Sequence, residues 1–195
     1  MDRIVVASHN LGKIKEIKKM LEPLGVEVES AAELHLHDIE ETGTTFAENA
    51  KLKSEHYAKE TGLCALGDDS GLCVKALGGR PGVYSARYAP NRDFDKGMDS
   101  LLEELSKAES KDRSAAFVCV MALTSSTGKT KLFEGRIEGK IAESKKGEGG
   151  FGYDAIFIPE GYTQTFAEMS QEEKNKMSHR GRALQKVLEH IRNEK

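Results

Sequence analysis

Paired cysteines are missing from this 195-residue sequence: Cys64, Cys73 and Cys119 are odd in number, and no spacing among them resembles a CxxC zinc or redox pair. Buried, reduced thiols are the expectation. No window approaches the roughly 18 consecutive apolar residues of a membrane-spanning helix, so no membrane partner is expected. The amino end also lacks a basic segment followed by a long apolar one, and a cytoplasmic protein is the reading. Positive charge is not in excess either. The 29 basic and 32 acidic residues are interspersed and leave a net charge of −3, which gives no global field to gather nucleic acid. Walker glycine spacing is absent, His35, His37, His56 and His190 show no helical metal-ligand pattern, and no Ser-His-Asp arrangement can be argued.

What is present is an ordinary globular balance, 38% hydrophobic and 31% charged, which predicts that the whole chain folds as a single domain over residues 1–195. Ile4 to Ser8 reads as a strand. Ile14, Ile17, Met20, Leu21 and Leu24 recur at helical spacing until Gly25, and Val26 to Glu29 alternate as a second strand. This opening β-α-β unit implies parallel strands. Thr45 and Glu48 form a capping-box pattern for a helix from about Phe46 to Gly62. Leu63–Leu66 and Leu72–Leu77 read as strands around a tight polar turn, Gly67 to Gly71. Phe94, Met98, Leu101, Leu102 and Leu105 mark a third helix, and Ala115–Thr124 a strand buried on both faces. Lys131–Glu134, Arg136–Ala142 and Ala155–Ile158 read as shorter strands, the last after a glycine-dense loop, Gly147–Gly152. Ala183, Leu184, Val187, Leu188 and Ile191 close the chain on an amphipathic helix capped by Ser178. The sum is an α/β fold: an elongated central mixed sheet flanked by helices, in two lobes with an active-site cleft between them.

Several segments carry chemistry. Ser8, His9, Asn10, Leu11, Gly12 and Lys13 lead into the first helix, where free N–H groups and the helix dipole attract phosphate; a plain connection reads equally simply. Lys53 falls in the apolar stripe of Phe46, Ala50 and Tyr57. Either its stem lies along the core with the ammonium in water, or it points at phosphates. Asp68 and Asp69 adjoin, and neighbouring carboxylates repel unless a cation or hydrogen bonds offset them. Magnesium, which binds through one or two carboxylates plus phosphates, suits that pair with Glu41 as a further ligand; a solvated Asx turn is the bland alternative. Phe151, Gly152, Tyr153 and Asp154 form either a hairpin turn or a platform on which a planar base stacks while Asp154 accepts its N–H groups. His179 and Arg180 open the last helix, where they could meet an oxyanion or a base carbonyl.

Together, the blocks Ser8–Lys13, Glu41–Phe46 with Asn49 and Lys53, Asp68–Leu72, Gly78–Arg87, Gly149–Asp154 and Ser178–Gly181 resemble the inosine triphosphate pyrophosphatase family, from Val5 to the last helix. The resemblance implies a homodimer that uses magnesium to hydrolyse non-standard purine nucleoside triphosphates (ITP, dITP and XTP) to the monophosphate and pyrophosphate. It implies Lys13 and Lys53 as phosphate binders, Glu41 and Asp69 as metal ligands with Asp68 as the alternative, and Asp69 as the base that activates water. Ser70 then touches substrate, Phe151 to Asp154 recognise the base, and Lys174, His179 and Arg180 close over its 6-oxo group. His9, Glu148 and Ala155 depart from the family's usual residues. Rival readings are a pyrophosphatase for modified pyrimidine or methylated nucleotides, and a nucleotide sensor without catalysis.

Overall fold

A computed structural model of the chain describes residues 3–193, so the domain expected over 1–195 includes Met1, Asp2, Glu194 and Lys195 outside that range. Its strands are β1 (Arg3–Val6), β2 (Glu27–Ser30), β3 (Cys64–Val74), β4 (Ser114–Thr124), β5 (Thr130–Ile141) and β6 (Phe157–Pro159). Its helices are α1 (Leu11–Leu21), α2 (Phe46–Thr61), α3 (Phe94–Lys107), α4 (Gln171–Met177) and α5 (His179–Asn193). The strands form one mixed sheet in the order β2-β1-β3-β4-β5-β6. It is parallel between β1 and β2 and between β1 and β3, and antiparallel between β5 and β6. Among the described residues no helix is long and apolar enough to cross a membrane.

Two compact units divide the chain. The first comprises Met1–Asp69, Cys119–Gly135 and Arg182–Lys195, the second Ser70–Val118 and Arg136–Gly181. In the first, period-two alternation sends side chains to opposite faces of the sheet. Ile4 and Val6 of β1, Cys64 and Leu66 of β3, and Cys119, Met121 and Leu123 of β4 pack against α1 and α5. Val5, Ala65, Val120 and Ala122 face the other way and join Ala50, Tyr57 and Ala58 of α2. In the second unit Met98, Leu101 and Leu105 of α3 cluster with Leu72, Val74, Phe117, Ile137 and Phe157. Burying each such large side chain contributes roughly 1.5–3 kcal/mol.

The capping box at Thr45 and Glu48 and the left-handed Gly62 that ends α2 are as the sequence predicts. Gly67 to Gly71 is not a turn, however. It lies inside β3, with Asp68 and Asp69 buried in the strand. The physical reason is packing: a Cβ on Gly67 would stand 2.3 Å from the Ala50 carbonyl oxygen and 2.9 Å from the Ser54 nitrogen. The glycine lets the strand touch the backbone of α2 and so brings the acids to the helix that carries Lys53. Gly67→Ala is expected to lower unfolding stability by about 3 kcal/mol, at the upper end for an overpacked core; a urea midpoint like the wild type's would show that the strand can move aside. The two short strands expected over 131–142 are one, β5, continuous through a buried Gly135. Residues Asp154–Ile156 form a 3₁₀ turn before β6 begins at Phe157, later than expected.

Candidate active site

The first unit gathers buried charge around α2. Lys53 does not extend to water: its Nζ stands 2.6 Å from Glu41 Oε1, and the side chain is 9% exposed. Lys13, on the first turn of α1, places Nζ 3.0 Å from Asp68 Oδ2. Asn49, buried one turn before Lys53, donates from Nδ2 to Asp69 Oδ2 at 2.9 Å and accepts the Gly43 N–H on Oδ1 at 2.8 Å. Burial alone would depress the Lys53 ammonium, but the fields of Asp68, Glu41 and Asp69 together outweigh it and its pKa stands above the ordinary lysine value. Asp69 moves the other way. Burial raises it most, Lys53 opposes, the Glu41 charge raises it further, and the net is a carboxyl pushed up to about 6.

Three carboxylates (Glu41, Asp68, Asp69) face two ammoniums (Lys13, Lys53), so the cluster carries one surplus negative charge when all are ionised. Oxygen donors with a surplus negative charge fit a hard divalent cation such as magnesium. Among the described residues no three acidic, histidine or cysteine side chains already converge as a complete cage.

The loop before α1 is built for its turn. Asn10 caps the helix, its Oδ1 accepting the Lys13 N–H at 3.2 Å, and Ser8 Oγ accepts the Asn10 N–H at 3.1 Å. Leu11 is exposed and Gly12 follows it in the first turn. His9 is directed sideways, its Nε2 donating to the Leu36 carbonyl at 2.9 Å.

The second unit holds the aromatic loop. Gly150 adopts φ of 72°, and a Cβ there would lie 2.1 Å from Asp154 Oδ2, so only glycine lets the chain fold over that carboxylate. Asp154 Oδ2 accepts the Phe151 N–H at 2.9 Å and the Lys174 ammonium at 2.6 Å. Both side chains of this ion pair are at most 5% exposed. The Phe151 ring has Lys174 Nζ 4.8 Å and Arg180 Cζ 5.3 Å from its centroid, two cation–π contacts. Arg180 Nη2 also donates to Ser70 Oγ at 3.1 Å. His179 is buried and stacks on Phe117 at 4.7 Å. Tyr153 turns away from Phe151: it is buried edge-on to Phe94, and its hydroxyl donates to the Ser85 carbonyl at 2.8 Å. Gly152 takes φ of 66° between the two aromatics.

The sequence reading named no role for Asn49, although a polar side chain one turn from Lys53 on the same helix was a usable signal. Helix α4, which carries Lys174, was not expected at all. Its sequence mark is the capping box of Ser170 and Glu173.

An α/β protein with acids and lysines gathered in one unit, and a cation-flanked aromatic ring beside a buried acid in the other, has the groups to hold a polyanion and a flat polar ring. Comparison with known proteins narrows that class. The chain belongs to the Ham1 family, whose model matches residues 4–190. It is 48% identical over 189 residues to a dITP/XTP pyrophosphatase of Bacillus subtilis (strain 168), covering 96% of each chain. Among solved structures it superposes on a HAM1 protein from Coxiella burnetii with a TM-score of 0.92 at 43% identity, over 99% of this chain and 100% of the other. The Staphylococcus aureus Ham1 protein gives 0.89 at 42% identity over the whole of both.

Proposed function

We propose that this protein hydrolyses non-standard purine nucleoside triphosphates, ITP, dITP and XTP, to the monophosphate and pyrophosphate, acting as a single pyrophosphatase domain. The observation that carries this reading is the buried acid–lysine cluster around Asp69, in a chain nearly half identical to a dITP/XTP pyrophosphatase along almost its full length. Ser8 to Gly12 offer the backbone and helix end, and Lys13 and Lys53 the ammoniums, that neutralise the phosphates. Glu41 and Asp69, with Asp68 beside them, hold magnesium. Bound there, the cation supplies charge neutralisation and a lowered pKa for water.

Asp69 takes a proton from, or orients, the water that attacks the α-phosphorus. The bond from that phosphorus to the bridging oxygen breaks, and pyrophosphate departs against the two lysines. A carboxyl near pH 6 suits this work, since it is ionised at neutral pH yet more basic than an ordinary aspartate. Phe151 stacks the purine, while Lys174, His179 and Arg180 present donors to the 6-oxo group and Ser70 touches substrate beside Arg180. Asp154 and Tyr153 hold the loop in shape. Adenine offers an amino donor where hypoxanthine offers an acceptor, and each buried donor left unpaired costs roughly 1–3 kcal/mol. A homodimer and a cytoplasmic location belong to the same proposal.

The test is release of pyrophosphate and orthophosphate from ITP, XTP, GTP, ATP and dTTP, with magnesium and with chelator. Pyrophosphate from ITP and XTP should exceed that from ATP by about 100-fold, the size of two lost donor contacts, and vanish with chelator; GTP keeps the 6-oxo group and is rejected through its 2-amino group instead. Orthophosphate instead would refute the bond assignment, and a preference for dTTP would favour a pyrimidine substrate. Tight ITP binding without product would point to a sensor.

A further inference from the structure

Glu41 sits in a stretch with no secondary structure of its own. Residues 36–43, between β2 and α2, carry neither helix nor strand, so no backbone ladder fixes the carboxylate. Besides the Lys53 ammonium on the Glu41 carboxylate and a backbone bond from the Leu36 N–H to the Ala31 carbonyl, side chains from α2 and from the segment before α1 hold this strap. The Tyr57 hydroxyl, on α2, donates to the His37 carbonyl at 2.7 Å, and His9, before α1, donates from Nε2 to the adjacent Leu36 carbonyl at 2.9 Å. His9 Nδ1 also stands 3.4 Å from Asp38 Oδ1. Beyond Glu41 the strap is held again, at Gly43, by Asn49, whose other end holds Asp69. Tyr57 is fully buried with Val5 and Ala31 and has Leu36 and Ile39 packed against its cluster, so its hydroxyl is delivered from a rigid seat.

We propose that Tyr57 and His9 are positioning residues: by pinning the Leu36 and His37 carbonyls they hold the strap that carries Glu41 to the acid cluster. This rests on the reading of Glu41 as a metal ligand. The two pins act on neighbouring carbonyls from different elements, so they fix both the height and the direction of the strap, which one hydrogen bond could not do. Neither side chain touches substrate in this assignment; both act through Glu41.

The experiment compares Mn²⁺ binding to the nucleotide-free protein, read by electron paramagnetic resonance, with the Mg²⁺ concentration that half-activates ITP hydrolysis. The variants are Tyr57→Phe, His9→Ala, His9→Gln and Glu41→Gln. Tyr57→Phe keeps the buried ring and loses only the hydroxyl, and should weaken Mn²⁺ binding and raise the Mg²⁺ requirement about fivefold, the effect of one lost hydrogen bond, with kcat at saturating Mg²⁺ unchanged. His9→Ala should match it in Mn²⁺ binding and in Mg²⁺ requirement. His9→Gln, whose amide nitrogen reaches the position of Nε2, should restore wild-type binding. If Glu41→Gln weakens Mn²⁺ binding while Tyr57→Phe and His9→Ala bind it like the wild type, the positioning role is overturned. If Glu41→Gln binds Mn²⁺ like the wild type, the ligand assignment itself falls, and the inference with it.

Discussion

Asp69→Asn should cut ITP turnover by about 1,000-fold or more, the range for removing a general base that also holds a metal, and yet leave the protein more stable than the wild type at neutral pH. The second half follows from burial. The folded-state value of about 6 lies above the 3.8 of an unperturbed aspartate. Between these values the folded protein keeps a proton that the unfolded chain has released, so wild-type stability falls as pH rises through that window. The penalty is complete above pH 6 and absent below pH 4. A pKa difference of about 2 corresponds to at most about 3 kcal/mol. Asparagine carries no charge, still accepts from Asn49, and leaves Lys53 its partners Glu41 and Asp68. Urea unfolding in chelator should therefore show the variant ahead at pH 7.5 and level with the wild type near pH 4. A variant less stable at pH 7.5, or a gap that widens on acidification, would show that Asp69 supports the fold instead of straining it.

That strain explains what could and could not be seen in the sequence. The opening β1-α1-β2 unit and α5 were legible because each buries one face, and the period of the apolar residues reports that face whatever lies opposite. Gly67 misled because a glycine between apolar and acidic residues marks a turn in isolation. Its actual work, admitting the carbonyl of Ala50, exists only once α2 lies against the strand. Helix α4 escaped because six polar residues and a single Met177, with only Lys174 buried, have no apolar stripe to read. The same distinction applies to the site. Lys13, Lys53, Asp69 and Phe151 stand out by residue type and local pattern, whereas the partners that tune them do not. Asn49 meets Asp69 across 20 residues of sequence, as Lys174 meets Asp154, and nothing in local periodicity links positions that far apart.

The Lys174–Asp154 pair allows structural support to be separated from base recognition. Lys174→Met takes the ammonium away from a buried carboxylate that also accepts the Phe151 N–H, and breaking a buried pair from one side costs about 3–5 kcal/mol. The Phe151 platform should loosen with it. Unfolding stability should fall by about 3 kcal/mol and the preference for ITP over ATP by at least tenfold, since both the ammonium donor and the seating of the ring are lost. Adding Asp154→Asn removes the buried charge while keeping an oxygen to accept from Phe151, so the double variant should regain most of the stability. It should not regain the preference, because no ammonium remains to meet the 6-oxo group. Denaturant unfolding and paired ITP and ATP kinetics on the two single variants and the double variant decide the matter. Recovery of both quantities would make Lys174 a counter-ion only and leave discrimination to His179 and Arg180; recovery of stability alone would assign the ammonium to the base.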